Sequence, residues 1–188
     1  MVSKFKDACD AEMSKVKCYS YVPFLKAKFN NLYAYINVTS DFKYHKLFIF
    51  FTLYRAPLGA AHFIKLVEDG FYTDIAMYRS VESFLTQFGI SDKPQFTLRH
   101  RSTIPDDTPK SIPIRQGYLS FAGGGPNSRT TQTFIAYEDL EFLGKEPWET
   151  PFGKVPLTES NKIVLKAIHK LGDIAPFGPG PDQTILSA

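Results

Sequence analysis

The sequence predicts a mainly β protein: a closed antiparallel barrel of eight strands flanked by two α-helices. Three observations carry this. Short apolar and aromatic runs recur between loops bearing Pro and Gly. Two stretches alone combine helical spacing of apolar residues with start and stop signals. The chain has 188 residues, 44% hydrophobic and 22% charged, which suits one globular domain with a real core. Its 17 Phe and 10 Tyr against 1 Trp favour the interior of a barrel or sandwich.

In chain order, residues 1–30 mix Lys4, Lys6, Lys15, Lys17, Lys26 and Lys28 with Asp7, Asp10 and Glu12 around sparse apolar positions. They read as an extension, partly helical at best, and leave 31–188 as the folded domain. Residues 32–38, a turn at Ser40-Asp41 and the apolar run 47–54 form a hairpin. Pro57 then suits a first helical position. Ala60, Ala61, Phe63, Ile64 and Val67 follow at helical spacing, and Gly70 is the stop. Strands are expected at 77–79, 84–87, 117–121, 133–136 and 152–155.

The second helix has Thr158 or Ser160 as its N-cap and Glu159 near its start. Ile163, Val164, Ala167, Ile168 and Leu171 share one face, Lys166 and Lys170 lie late, and Gly172 ends it. The tail 177–181 is a loop, and 183–186 can return as a last strand.

Several function classes are disfavoured. A net charge of +3 is too small to argue for nucleic acid, and Arg99-His100-Arg101 is too short a basic run to change that. The run 47–54 is far shorter than the ~20 residues of a membrane helix. Cys9 and Cys18 make neither a disulfide framework nor a four-ligand zinc site. His45, His62, His100 and His169 lack metal-ligand spacing, so no metal and no cofactor are expected. Asp106-Asp107, Glu138, Asp139, Glu141 and Glu159 read as solvated turns and caps. Gly123-Gly124-Gly125 lacks the Lys-Ser/Thr of a phosphate loop. No secretory leader is visible, so a soluble protein of the cytoplasm or an organelle interior is expected rather than a secreted one, and the sequon at Asn37 carries little weight.

Two motifs resemble the cyclophilin family of peptidyl-prolyl isomerases. The family's Phe-His-Arg followed by Phe-Met-x-Gln-x-Gly is similar to Tyr78-Arg79 followed by Phe84-Leu85-Thr86-Gln87-Phe88-Gly89, with the Arg-to-Phe-to-Gln spacing intact. Its Leu-Ser-Met-Ala-Asn-x-Gly-Pro-Asn and Gln-Phe-Phe-Ile are matched by residues 119–127 and by Gln132-Thr133-Phe134-Ile135. Phe152-Gly153-Lys154-Val155 resembles its Phe-Gly-Lys-Val strand. The segments Ile104-Pro105-Asp106-Asp107 and Gly180-Pro181-Asp182-Gln183 are similar to a divergent branch.

The resemblance implies a cyclophilin-like barrel that binds proline-containing peptides and isomerises X-Pro bonds. Arg79 and Gln87 are its implied catalytic pair, with Arg79 as the donor. Phe84, Leu85 and Phe134 would form the proline slot, and Ala122 and Gly123 would run beside the peptide. Two departures fall in the segment 140–149. The family's Trp position is Phe142, which keeps apolar bulk without an indole donor, so weak cyclosporin binding is expected. The family's His falls near Trp148 or Glu149. A second class of function therefore stands beside the enzyme: a cyclophilin-like binding or scaffold subunit of a larger assembly, joined through the N-terminal extension.

Overall fold

In the computed structural model the described residues are 17–19, 33–40, 43–73, 75, 77–91, 93–108 and 111–169; for 17–19, 33–40, 43–46, 167 and 169 the backbone alone is described. Strands β1 (Lys17–Tyr19), β2 (Tyr33–Ser40) and β3 (Lys43–Phe51) lead into helix α1 (Pro57–Glu68). There follow β4 (Met77–Val81), β5 (Leu85–Phe88), the short helix α2 (Pro94–Arg99), β6 (Tyr118–Phe121) and β7 (Thr133–Ala136). A single 3-10 turn (Pro147–Glu149), β8 (Gly153–Lys154) and helix α3 (Glu159–His169) complete the order.

The eight strands make one sheet in the order β1-β2-β3-β8-β6-β7-β5-β4, and every pairing is antiparallel. Among the described residues β1 and β4 are its two ends, so these pairings give an open sheet where the sequence predicts a closed barrel. The last strand expected at 183–186 lies outside the described residues, as do Asp41, Lys170, Leu171 and Gly172. The place beside β2 is taken by β1, from within the segment read as an extension.

The period of two in β3 sets the inner face: Leu47, Ile49 and Phe51 are buried, whereas Phe48 and Phe50 are 42% and 40% exposed. Against the inner face pack Ala60, Phe63, Leu66 and Val67 of α1 and Val164, Leu165 and Ile168 of α3. Phe51, Phe63, Phe121 and Phe152 meet there with ring centroids 4.8–6.4 Å apart.

Both helical stripes differ from the sequence reading. Ala61 is exposed and Ile64 half-buried, while Leu66 turns inward. In α3, Asn161 joins Val164, Leu165 and Ile168 on the buried side, and Ile163 is 61% exposed. Spacing selects a stripe to within about one residue; the neighbouring sheet selects its centre. Thr158 is the cap, its Oγ1 accepting the Asn161 N–H at 3.2 Å. Helix α2 was not expected; Pro94 stands at its first turn, the signal that also opens α1.

The acidic turn is a larger correction. Asp107 is buried together with Arg129, and their Oδ2 and Nη1 atoms are 2.8 Å apart. Asp107 also accepts the backbone N–H groups of Leu58 (2.8 Å) and Gly59 (3.0 Å), the first-turn donors that the N-cap residue Ala56 leaves without a side-chain partner. Arg129 donates to the Pro105 carbonyl as well. Gly59 makes room for this pair, since a Cβ there would stand 2.9 Å from Arg129 Nη1. One carboxylate thus caps α1 from a distant loop and neutralises a buried guanidinium.

Removing one partner of a buried ion pair leaves the other charge uncompensated, at a typical cost of about 3–5 kcal/mol. Arg129→Met is therefore expected to lower the unfolding free energy by about that amount in urea titration. Pairing it with Asp107→Ala should cost less than the sum of the two single changes.

Candidate active site

The site begins with the register of three neighbouring strands. Arg79 on β4 lies opposite Gln87 on β5, and Gln87 lies opposite Phe134 on β7. Two residue types that must meet, a cation and an apolar wall, are thus placed on either side of one amide. The β4–β5 turn places Ser83 at φ 53°, with the Phe84 N–H returning to the Val81 carbonyl at 3.2 Å. That turn sets Phe84 beside the Arg79 side chain.

Arg79 is half-buried and held from two sides. Its Nη1–H donates to Gln87 Oε1 at 3.3 Å, and its guanidinium carbon stands 5.7 Å from the Phe84 ring centroid. Its Nε is buried and has no hydrogen-bond partner among the described residues. A buried guanidinium donor without an acceptor is costly, whereas the side chain as a whole is half-buried and carries a permanent charge.

Beside it lies a second apolar cluster, distinct from the main core. Leu85, Ile114, Phe134, Ala136 and Leu140 are buried in it, with Phe84, Tyr118, Ala122 and Leu143 half-buried at its edge. Phe142 is 62% exposed and stacks on Phe84, with centroids 5.8 Å apart and planes 27° from parallel. Seven of the residues singled out from the sequence therefore fall in one neighbourhood: Arg79, Gln87, Phe84, Leu85, Ala122, Phe134 and Phe142.

Gly123 follows Ala122 but meets different company. A Cβ added there would lie 3.1 Å from Trp148 Cβ and 3.2 Å from Ser128 Oγ. Trp148 belongs to the loop that departs from the family pattern, and that loop is well anchored. Glu149 accepts the Gly144 N–H (2.8 Å) through Oε2 and the Ser120 hydroxyl (2.9 Å) through its carbonyl. Leu140 and Ile114 form an antiparallel bridge. The small residue at 123 and the large one at 148 are thus one packing solution, which the sequence separates by an interval no local pattern can span.

Two polar residues that sequence reasoning left without a role complete the surroundings. Gln132 Oε1 accepts from Gln87 Nε2 at 3.3 Å and from the Tyr78 hydroxyl at 2.7 Å. The segment before β7 is fastened by His62, whose Nε2 lies 2.7 Å from the Thr130 carbonyl, and by the Tyr72 hydroxyl, which donates to the Thr131 carbonyl at 2.9 Å. A carbonyl can only accept, so His62 carries its proton on Nε2. Burial holds its pKa below the usual histidine value and keeps the ring neutral. Gln132 stood in the quoted motif, and Tyr78 stands directly before Arg79; those positions were the available signals.

A polar cleft lined by Thr52, Tyr54, Arg55, Tyr118, Pro151, Gly153 and Lys154 lies elsewhere and contains no member of the Arg79 group. Among the described residues no group of three His, Cys, Asp or Glu side chains is gathered for a metal, and no helix is long and apolar enough to cross a membrane.

An arginine, a glutamine and an apolar cluster thus stand side by side on neighbouring strands of one antiparallel sheet, and comparison with known proteins places the chain in a family. Residues 36–187 match the family "Cyclophilin type peptidyl-prolyl cis-trans isomerase/CLD", and the chain belongs to that family. It is 33% identical over 123 residues to peptidyl-prolyl cis-trans isomerase-like 2 of Neurospora crassa, covering 62% of this chain and 19% of that protein. It is 33% identical over 109 residues to a peptidyl-prolyl cis-trans isomerase of Synechococcus elongatus, covering 58% of this chain and 72% of that one. It thus spans about a fifth of the length of the first of these relatives. The fold resembles a cyclophilin-type isomerase from Cryptosporidium parvum, with a TM-score of 0.53 and 22% identity over 64% of this chain and 77% of that chain. The same protein was also solved in the presence of the dipeptide Ala-Pro.

The contact at Gly123 is testable through the single tryptophan. Gly123→Asn, which restores the family residue, is expected to displace Trp148, move its fluorescence emission to longer wavelength and lower stability by about 1–3 kcal/mol.

Proposed function

We propose that this chain is a peptidyl-prolyl cis-trans isomerase acting on X-Pro bonds of peptides or client proteins. The observation that carries the reading is the half-buried Arg79 guanidinium, held by Gln87 and Phe84 beside the Leu85–Phe134 cluster. Membership of the isomerase family supports it, as does a fold neighbour studied with Ala-Pro.

The chemistry needs no nucleophile. Amide resonance sets a rotational barrier of ~18–20 kcal/mol, and rotation withdraws the nitrogen lone pair from the carbonyl. A catalyst must bind the twisted amide better than either planar form. The apolar cluster grips the pyrrolidine ring, so that the far side of the bond turns against a fixed partner. Arg79 donates from a partly dry site to the prolyl carbonyl and to the localised lone pair. Gln87 holds the guanidinium by its carbonyl. Ala122 and Gly123 run beside the peptide, and Phe142 extends the slot over Phe84. Because Phe142 has no indole N–H, cyclosporin binding is weak. Closure of the sheet into a barrel, with 183–186 as the last strand, belongs to the same reading, as does a folded domain over 31–188.

A second reading, a binding subunit of a larger assembly, is favoured by the lengths of the relatives. The match to the Yarrowia lipolytica peptidyl-prolyl isomerase CWC27 covers 29% of that protein, so domains like this one work within longer chains. In that reading the N-terminal extension makes the attachment.

The test is the isomerisation rate of a short X-Pro peptide. The isomerase reading predicts acceleration by the wild type and a fall of roughly 10²–10³ in kcat/KM for Arg79→Ala with the fold intact. Peptide binding without acceleration by folded wild type would establish the binding-subunit reading instead.

A further inference from the structure

Tyr78 is a buried hydroxyl beside the Arg79 group that bonds a side chain of that group and that the mechanism above leaves without work. Its side chain is 1% exposed, and burial pushes its phenol well above the usual tyrosine range, so it keeps its proton and donates. In a regular strand Tyr78 and Arg79 would point to opposite faces. The β4–β5 register shifts between Met77 and Arg79, and this irregularity lets two consecutive residues reach the same pair of glutamines. Tyr78 reaches Gln132, and Arg79 reaches Gln87.

The polarity of the chain of bonds follows from its arginine end. Arg79 has no acceptor, so Gln87 must turn its carbonyl to Arg79 and its amide nitrogen to Gln132. Gln132 must then present its carbonyl to Gln87. A primary amide can flip, and the two orientations differ little in shape. The flipped form would set N–H groups of Gln132 and Gln87 against each other, or turn Gln87 so that its N–H groups face Arg79. The Tyr78 hydroxyl anchors Gln132 Oε1 from the other side, and at 2.7 Å its bond is the shortest in the series.

We propose that Tyr78 is a positioning residue for the isomerase reaction, its hydroxyl holding Gln132 and Gln87 in the single orientation that aims the Arg79 guanidinium. This rests on the isomerase reading above. Tyr78 touches no substrate; it acts through two amides on the residue that does. A tyrosine that only fills space would be replaced by phenylalanine at no catalytic cost.

The experiment compares wild type, Tyr78→Phe, Gln132→Met, the double variant and Arg79→Ala. Readouts are kcat/KM on an X-Pro peptide, the melting temperature, and the side-chain amide resonances of Gln87 in labelled protein. Tyr78→Phe is expected to lose about three- to tenfold in kcat/KM, the worth of one hydrogen bond, and to shift the Gln87 resonances. Gln132→Met removes the acceptor and should show a similar loss, with Tyr78→Phe adding little in that background. Should Tyr78→Phe fail to fold, the Gln132→Met variant carries the test, and wild-type activity there overturns the proposal. Wild-type kcat/KM and unmoved Gln87 resonances in folded Tyr78→Phe, with Arg79→Ala inactive, overturn the role of Tyr78 alone. Full activity of Arg79→Ala overturns the isomerase site itself.

Discussion

The pairing of β5 between β4 and β7 is the constraint on which the site depends. A single register fixes Arg79 against Gln87 and Gln87 against Phe134. Because side chains alternate along a strand with a period of two, a slip of one residue would send the whole set to the opposite face. The burial of all four β5 residues guards against that slip, since Leu85 and Thr86 serve opposite sides of the strand and neither tolerates exposure. The polar members of the site are thereby held by apolar packing. Among the described residues Arg79 is oriented by an amide and an aromatic ring rather than by a carboxylate, and its Nε has no acceptor.

A second constraint fixes the surroundings of that row. The Asp107–Arg129 pair ties the loop before β6 to the first turn of α1 and to the segment leading into β7. His62 reaches the same segment from the helix, through the Thr130 carbonyl. Helix α1 and the entry to β7 are therefore one mechanical unit, and Gln132 sits at its edge. A fully buried ion pair thus lies in the segment that leads to Gln132, the residue that accepts from Gln87.

How much of this was legible in the sequence depended on the range of the interaction. Hairpin and helix positions were readable because Pro57, Gly70 and the alternating apolar residues of β3 act locally. The residues of the candidate site were readable only through the spacing Arg79–Phe84–Gln87 and the segment Gln132–Ile135, since an arginine or a phenylalanine alone carries no such meaning. Three features escaped. Asp107 looked like a solvated turn because its partners, the N–H groups of Leu58 and Gly59, lie far back in the chain. Gly123 looked like a loss of an asparagine, whereas it accommodates Trp148. Ile163 looked like a core residue because helical spacing leaves the centre of a stripe uncertain by a position, and the sheet chose Asn161 instead.

The central claim is that this row of residues is where a prolyl bond is held and turned. The most direct measurement is a crystal structure of the chain with a short Ala-Pro peptide. The account predicts the pyrrolidine ring against Leu85 and Phe134, with the prolyl carbonyl within hydrogen-bond reach of the Arg79 guanidinium. A peptide bound elsewhere, or one whose proline avoids this cluster while Arg79 Nε stays without a partner, would contradict it.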